Sequence, residues 1–256
     1  MGKTIAIFNQ KGGVGKTTTN INLGACLALK GKKVLILDID PQGNTTSGIG
    51  IQKKTLDYTV YDLLIREDFN TEDAIMETSV KGLDIIPASV DLAGAEIELV
   101  QIENRESRLR QALDKVRDKY DFIFIDCPPS LGLLTINSLT AVESVLIPIQ
   151  CEFYALEGVS QLVNTIELVR GNLNKDLKIE GVILSMFDGR TNLSIQVVQE
   201  VKKYFGSKVY STVIPRNVRL AEAPSYGMPI MEYDPKSKGA MAYNDFADEF
   251  LEKCNE

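Results

Sequence analysis

Short apolar runs rich in β-branched residues alternate along the chain with segments in which apolar residues recur at helical spacing. The run at 34–37 is apolar at every position, which is typical of a strand covered by helices on both faces. Alternation of such strands with helices predicts an α/β fold with a doubly wound, mostly parallel sheet flanked by helices. The predicted strands are 4–8, 33–37, 83–87, 122–125, 144–148, 178–185 and 208–213.

Helical segments fill the intervals between these strands. The first of them ends just before Gly31, a residue type that is common past a helix C-terminus because it accepts positive φ. No linker, low-complexity tract or fixed-period repeat interrupts the pattern, so we expect one domain spanning 1–256. The predicted helices are 17–29, 60–65, 93–99, 107–119, 133–139, 156–171, 193–205 and 239–253.

A phosphate-binding loop is predicted at 11–18, where the sequence KGGVGKTT lies between the first strand and the first helix. Glycines let backbone N–H groups turn toward a phosphate, and the helix N-terminus adds partial positive charge. Lys16 would reach the terminal phosphates and Thr17 would offer its hydroxyl to Mg²⁺. A glycine-rich turn without a ligand is the alternative, which this context disfavours. The candidate nucleotide contacts are Lys11, Gly12, Gly13, Val14, Gly15, Lys16, Thr17 and Thr18.

Three carboxylates follow two of the predicted strands. Asp38 and Asp40 come after the strand at 33–37, and Asp126 comes directly after 122–125. Ligands of parallel sheets bind at the carboxyl ends of the strands, beside the loop described above. We therefore expect Asp126 to reach Mg²⁺ through water, Asp38 to hold the metal's water shell and Asp40 to orient an attacking water. Taken alone, these residues also fit solvated strand ends or a capping residue.

Composition narrows the chemistry further. The chain has 256 residues, a net charge of −7, four cysteines and no histidine, so no imidazole base is available. The cysteines are dispersed singly, which indicates neither a disulfide framework nor a zinc site. Phosphoryl transfer, which depends on positioning and charge, remains open. No apolar run approaches the length of about 18 residues that a transmembrane helix needs, and we expect a soluble, cytoplasmic protein.

The loop departs from the common G-x-x-x-x-G-K-[ST] form, because Gln10 stands in place of its first glycine and Lys11 follows. In this it resembles the deviant Walker A motif of the ParA/MinD/nitrogenase iron protein superfamily. That resemblance implies that Lys11 is the signature lysine, which acts across a nucleotide sandwich dimer. The D-x-D-P-Q pattern at 38–42 resembles the superfamily's switch I, and 127–131 corresponds to its switch II.

A second stretch, 214–227, is similar to the I-P-R-x-x-x-x-x-E-A-P-x-x-G segment of Soj-type proteins, so the chain most resembles the ParA/Soj partition ATPases. The resemblance implies that this segment closes over adenine, with Pro215 and Asn217 as base contacts. An Asn side chain offers both a donor and an acceptor for the adenine edge. Without the resemblance, the stretch is a proline-bounded turn carrying two arginines, Arg216 and Arg219.

The partner is the open question. A net charge of −7 by itself argues against DNA, because phosphates are neutralised by Lys and Arg. The resemblance nevertheless implies an ATP-bound homodimer that binds non-specific DNA, associates with the nucleoid and acts with a ParB/Spo0J-type protein. It points most directly to Arg190 and Arg219. The alternative is a scatter of surface charges that balance 35 acidic residues. The basic candidates are Arg190, Lys202, Lys203, Lys208, Arg216 and Arg219.

Other members of the superfamily supply competing hypotheses. The segment 244–256 carries five acidic residues and one basic residue, which argues against binding to anionic membranes. An iron–sulfur cluster is not expected, because no cysteine near 90–100 accompanies Cys127. A MinD-like protein-positioning scaffold without DNA binding remains, as does a small-molecule enzyme of the dethiobiotin-synthetase kind. The sequence leaves open whether the cargo is a chromosome or a plasmid.

Overall fold

A computed structural model describes residues 2–152 and 155–255 of the chain. Its eight strands form one sheet in the order β3-β4-β2-β5-β1-β6-β7-β8. β3 pairs antiparallel with β4, and the other neighbouring strands pair parallel. The strands are β1 (Lys3–Ile7), β2 (Val34–Asp38), β3 (Met76–Glu77), β4 (Leu83–Ile86), β5 (Phe122–Asp126), β6 (Ser144–Gln150), β7 (Lys178–Phe187) and β8 (Val209–Pro215).

Helices cover both faces of this sheet. They are α1 (Lys16–Leu29), α2 (Asn44–Gly48), α3 (Val60–Ile65), α4 (Leu92–Glu98), α5 (Arg108–Asp114), α6 (Leu133–Ala141), α7 (Ala155–Asn172), α8 (Asn192–Phe205), α9 (Val218–Glu222), α10 (Ile230–Tyr233) and α11 (Lys238–Cys254). Short 3₁₀ turns occupy Lys53–Thr55, Thr71–Ala74, Leu99–Gln101, Arg105–Ser107, Arg117–Lys119, Gly206–Lys208 and Ala223–Tyr226.

The side chains of each strand alternate between two apolar cores, one on each face of the sheet. Ile5 and Ile7 of β1 pack with α1, α10 and α11, whereas Ala6 and the following Phe8 pack with α3 through α8. Both cores are closed to solvent, which explains why the central strands are apolar on successive residues. The predicted doubly wound, mostly parallel fold is confirmed.

The predicted elements mostly agree with the structure to within two residues. Gly31 takes the left-handed conformation expected after α1, with φ of 85°. The helix predicted at 107–119 was wrong in extent, because α5 stops at Asp114 and a separate 3₁₀ turn follows. The break lies at Val116, which has φ of −125° and is fully buried. Burial of the Val116 side chain in the core favours this extended φ over the helical φ that would continue α5.

Two further observations bear on the sequence analysis. The four cysteines are free thiols at separate places, three of them buried and Cys254 half-buried. Across 2–152 and 155–255, no helix combines the length and the apolar composition needed to cross a bilayer.

Candidate nucleotide site

The site is built where the carboxyl ends of the central strands meet. β1 lies between β5 and β6, and β2 lies on the other side of β5. In this register Asp126 is the partner of both Ile7 and Asp38. The glycine-rich loop leaves β1 at this edge and enters α1, so the three predicted motifs converge although they are far apart in sequence.

The loop is held in shape by side chains that the motif does not contain. Asn9 donates from Nδ2 to the carbonyl of Pro148 at 2.8 Å and accepts from the N–H of Lys11 at 3.0 Å. On the other side, Ser185 Oγ donates to the carbonyl of Val14 at 2.7 Å. Gly15 caps α1 with φ of 93°, a conformation that favours glycine. The cradle is therefore anchored to β6 and β7.

Lys16 lies inside this cradle. Its side chain is buried, and Nζ donates to the carbonyl of Lys11 at 3.2 Å. Burial lowers the pKa of the ammonium below its usual value, although the nearby Asp126 opposes this. Within the described part of the chain, Lys16 forms no ion pair. Its charge is therefore available to an anion that enters the loop.

Asp126 is arranged to serve a cation. Its Oδ2 accepts hydrogen bonds from the hydroxyls of Thr17 and Thr45, both at 2.7 Å. Its Oδ1 is buried and has no hydrogen-bond partner among the described residues. Burial raises the pKa of this carboxyl to about 6. A buried carboxylate oxygen without a donor, next to a threonine hydroxyl, fits a hard oxygen-seeking cation such as Mg²⁺.

The remaining ligands of such a cation would come largely from phosphate and water. Across residues 2–152 and 155–255, no three or more Cys, Asp or Glu side chains converge as a metal cluster. Mg²⁺ commonly binds through one or two carboxylates together with phosphate oxygens and water. The donor set at Asp126 and Thr17 is thus the kind that holds Mg²⁺ together with a nucleotide.

Asp38 is placed differently from Asp126. It is fully buried, its Oδ2 accepts from both the N–H and the hydroxyl of Thr46, and its Oδ1 accepts from the N–H of Asp40 at 3.3 Å. Burial and the charge of Asp126 raise the pKa of this carboxyl to about 7. Asp38 therefore anchors α2 to the sheet, and its contact with the water shell of a metal stays a prediction.

Asp40 stands at the start of the loop between β2 and α2. Its side chain is half-buried, and Oδ1 accepts from the N–H of Gln42 at 2.9 Å. Lys53 donates to the carbonyl of Gln42 and so braces the same loop. Asp40 is therefore a carboxylate that a bound water can reach, on a loop with a defined shape.

Lys11 extends out of its own loop. Its Nζ lies 3.8 Å from a carboxylate oxygen of Glu152, and 38% of the side chain is exposed. Glu152 also accepts from Arg216 at 3.2 Å. Gln10, the residue in place of the usual glycine, donates to the hydroxyl of Thr165 on α7 at 2.8 Å. The side chain of Lys11 thus extends away from the cradle, to which this residue contributes through its backbone.

A cavity of about 360 Å³ adjoins the loop, lined by Gly15 and Thr18 on one side and by Pro215 and Asn217 on the other. Asn217 caps α9, and its Oδ1 accepts from the N–H of Leu220 at 3.3 Å. The oxygen of Asn217 thus already accepts one hydrogen bond within the protein, and its contact with a base stays a prediction. Met186 lines the same cavity with φ of 51°, a strained backbone of the kind found at functional sites.

The predicted DNA contacts lie on the surface, but the arginines are paired with acidic side chains. Arg190 contacts Asp188 at 2.7 Å, and Arg219 contacts Glu222 at 2.9 Å and Asp234 at 3.5 Å. Exposed ion pairs of this kind contribute little free energy. Arg216 contacts Glu152. Three exposed lysines lie at or just beyond the end of α8, namely Lys202, Lys203 and Lys208.

The sequence predicted the residues of the loop and the carboxylates, but not the side chains that support them. Asn9, Thr45 and Ser185 contact the loop or Asp126 from separate elements. A single polar residue at a strand end or in a five-residue helix gives no periodic signal, and its partner is not visible in the sequence. These contacts depend on how the fold brings separate elements together.

Comparison with known proteins agrees with this geometry. Residues 2–179 match the family described as AAA domain. The chain is 65% identical over 249 residues to the sporulation initiation inhibitor protein Soj of Bacillus subtilis, covering 97% of this chain and 98% of that protein. It is 53% identical over 253 residues to the chromosome partitioning protein ParA of Myxococcus xanthus, covering 99% of this chain and 89% of that protein.

A solved structure shares the whole fold. The cobyrinic acid a,c-diamide synthase of Mycobacterium smegmatis, crystallised with bound ADP and magnesium, superposes with a TM-score of 0.87 at 39% identity. The alignment covers 100% of this chain and 96% of that one. Together with the two relatives that match along nearly their whole length, these similarities establish the family. The chain belongs to the ParA/Soj family of partition ATPases.

Proposed function

We propose that the chain is an Mg²⁺-dependent ATPase that dimerises with ATP, binds DNA non-specifically in that state and drives chromosome or plasmid partitioning with a ParB-type partner. The observation that carries the proposal is the combination of a formed phosphate cradle with Lys11, a lysine that extends outside it. The full-length similarity to Soj and ParA supports partitioning as the process. In this proposal 1–256 works as one ATPase unit in the cytoplasm, associated with the nucleoid.

The nucleotide assignment rests on fit. In this proposal Gly12 through Thr18 would surround the phosphates, with the buried charge of Lys16 against them. The cavity lined in part by Pro215 and Asn217 would take the base. Thr17 and Asp126 would hold Mg²⁺, which when bound neutralises charge on the phosphates. The synthase with ADP and magnesium, at 39% identity, supports ATP and Mg²⁺ as the cofactors of this chain.

Hydrolysis in this proposal needs two subunits. Lys11 would leave Glu152 and place its ammonium against the phosphates held by the partner subunit, where it stabilises the charge that develops during transfer. Lys16 does the same within its own subunit. Asp40, on its braced loop, would orient the attacking water. Loss of the terminal phosphate then removes the group that Lys16 contacts within a subunit and Lys11 contacts across the interface. The two subunits then separate.

DNA binding would follow from the same dimerisation. Each subunit brings Arg190, Arg216 and Arg219 together with Lys202 and Lys203, and two subunits double the number of phosphate contacts. The acidic partners of the arginines hold them in place until a phosphate replaces the carboxylate. A local basic surface of this kind would overcome the net charge of −7.

Retention on non-specific duplex DNA tests the proposal. Wild type, Arg219→Glu and a control, Lys119→Glu, are compared with ATP, with ADP and without nucleotide at fixed salt. Lys119 is exposed and pairs with Glu72. Its replacement by Glu changes the net charge by the same amount as Arg219→Glu does. We expect DNA to retain wild type and the control only when ATP is present. The affinity of Arg219→Glu for DNA should be at least about tenfold lower than that of wild type.

Two other outcomes would each identify a different function. An ATP-dependent dimer that no DNA retains would favour the MinD-like positioning scaffold. Hydrolysis that requires a small metabolite and ignores DNA would favour a small-molecule enzyme, the class named by the synthase of similar structure. Either result would overturn the DNA-binding proposal while leaving the nucleotide site intact.

A further inference from the structure

Thr45 occupies a position in the site that the motifs do not assign. It lies in α2, immediately after the loop that carries Asp40, and it is fully buried. Its hydroxyl donates to Asp126 Oδ2 at 2.7 Å, the same oxygen that accepts from Thr17. The hydroxyl also accepts from Asn20 Nδ2 of α1 at 3.4 Å.

The direction of these hydrogen bonds is set by the donor inventory. A threonine hydroxyl has one proton, and the amide of Asn20 can only donate from Nδ2. The proton of Thr45 is therefore directed to Asp126. With Thr17 and Thr45 both on Oδ2, the other oxygen, Oδ1, is left buried and without a partner among the described residues.

This arrangement decides which oxygen of Asp126 serves a cation. Thr17 commits its own proton to Asp126, so its lone pairs are free for a metal. Thr45 holds the carboxylate of Asp126 from α2, whereas Thr17 holds it from α1. Two hydroxyls on Oδ2 oppose a rotation of the carboxylate that would exchange Oδ1 and Oδ2. Without the second hydroxyl, Asp126 would keep one hydrogen bond and a wider choice of orientation.

We propose that Thr45 is a positioning residue for the Mg²⁺ site, which orients Asp126 and couples the loop of Asp40 to occupancy of that site. The inference rests on the proposed function, because it assumes that Asp126 serves Mg²⁺ bound with nucleotide. Coupling follows from the chain, because Thr45 and Asp40 are five residues apart on one segment. Asp38 holds this segment to the sheet through Thr46, and the bond of Thr45 to Asp126 is its direct contact with the candidate metal ligand.

The test is a Mg²⁺ titration of the binding of a fluorescent ADP analogue. Thr45→Val and Thr45→Ala remove the hydroxyl, and Thr45→Ser keeps it. Thr140→Val is the matched control, because Thr140 is buried and its hydroxyl has no partner among the described residues. We expect Thr45→Val and Thr45→Ala to raise the half-saturating Mg²⁺ concentration about tenfold, the effect of losing a hydrogen bond to a charged group.

Affinity for the analogue in EDTA should be unchanged in all four variants, and Thr45→Ser and Thr140→Val should titrate like wild type. A Thr45→Ala variant that titrates like wild type would overturn the inference, even if Thr45→Val failed to fold. Thr45→Ser behaving like Thr45→Val would also overturn it, because packing would then be the cause. If wild type itself binds the analogue without any dependence on Mg²⁺, the proposed metal site is wrong and the inference falls with it. A wild type that depends on Mg²⁺ beside an unchanged Thr45→Ala overturns the inference alone.

Discussion

At the residue scale, the surroundings of three neighbouring carboxylates separate their tasks. Asp38 is enclosed by Thr46 and the N–H of Asp40, and Asp126 keeps one oxygen without a donor. Both are buried, and the pKa of each is raised above the usual range by burial. Asp40 is half-buried and holds its loop through Gln42. Of the three, Asp40 is the carboxylate that solvent can reach.

Replacement of Asp40 by Ala should therefore separate binding from hydrolysis. We expect phosphate release to fall about 100-fold or more, because a positioned carboxylate commonly contributes that much. Nucleotide affinity should be retained, and the dimer should accumulate with ATP and Mg²⁺. Asp57→Ala, at an exposed position, is the control. Sedimentation that finds only monomer of Asp40→Ala with ATP and Mg²⁺ would contradict the expected trapping.

The sequence predicted Lys16, Thr17 and Asp126 because each belongs to a motif of fixed spacing beside a strand. It did not predict the role of Asn9, which holds the loop in place by donating to the carbonyl of Pro148 on β6. It also did not predict that Asn217, the expected base contact, caps α9 through its Oδ1. Such roles depend on which remote backbone groups come within reach, and only the folded chain determines that. The proposed base contact of Asn217 would use its amide N–H groups.

At the element scale, α11 closes the core on the face of the sheet that also carries α1. Phe250 of α11 is fully buried, and its ring lies 5.4 Å from that of Phe122 and 5.8 Å from that of Phe124, both on β5. β5 ends at Asp126, so the helix supports the strand that carries the candidate metal ligand. Packing at the end of the chain thus reaches the nucleotide site.

Truncation of this ring should destabilise the whole domain. We expect Phe250→Ala to reduce the free energy of unfolding by about 3–5 kcal/mol, the usual cost of a buried Phe with the cavity that it leaves. The melting temperature should fall on the order of 10 °C for a chain of this size. Met241→Ala, on the same helix but 52% exposed, is the control. Equal urea midpoints for the two variants would show that α11 packing is not important for stability.

Long periodic elements were predictable, whereas short ones were not. α1, α7, α8 and α11 have enough turns for apolar spacing to be evident. The helices with four or five residues, α2, α9 and α10, and the two-residue strand β3 fall below that length and were missed. Two of these omissions bear on function, since α2 carries Thr45 and α9 is capped by Asn217.

At the scale of the whole molecule, the proposed dimer depends on a lysine outside its own site. Lys11→Ala should bind nucleotide but weaken dimerisation with ATP and Mg²⁺ on the order of 100-fold, because two charged contacts to phosphate are lost per dimer. Lys175→Ala, at an exposed position, should leave assembly unchanged. Analytical ultracentrifugation over a range of protein concentrations measures this. A Lys11→Ala dimer as tight as wild type would exclude the action of this lysine across the interface.

The strand order described above also has a consequence for biosynthesis. β1, which leads into the phosphate loop, is synthesised well before its neighbours β5 and β6, which begin only at Phe122 and Ser144. Pairing across such separations is slow to form. The nascent chain therefore carries β1 without these neighbours until β5 and β6 have been made, and Pro215 and Asn217 follow later still. The cavity that these two residues line with Gly15 and Thr18 can form only after β8 has been synthesised.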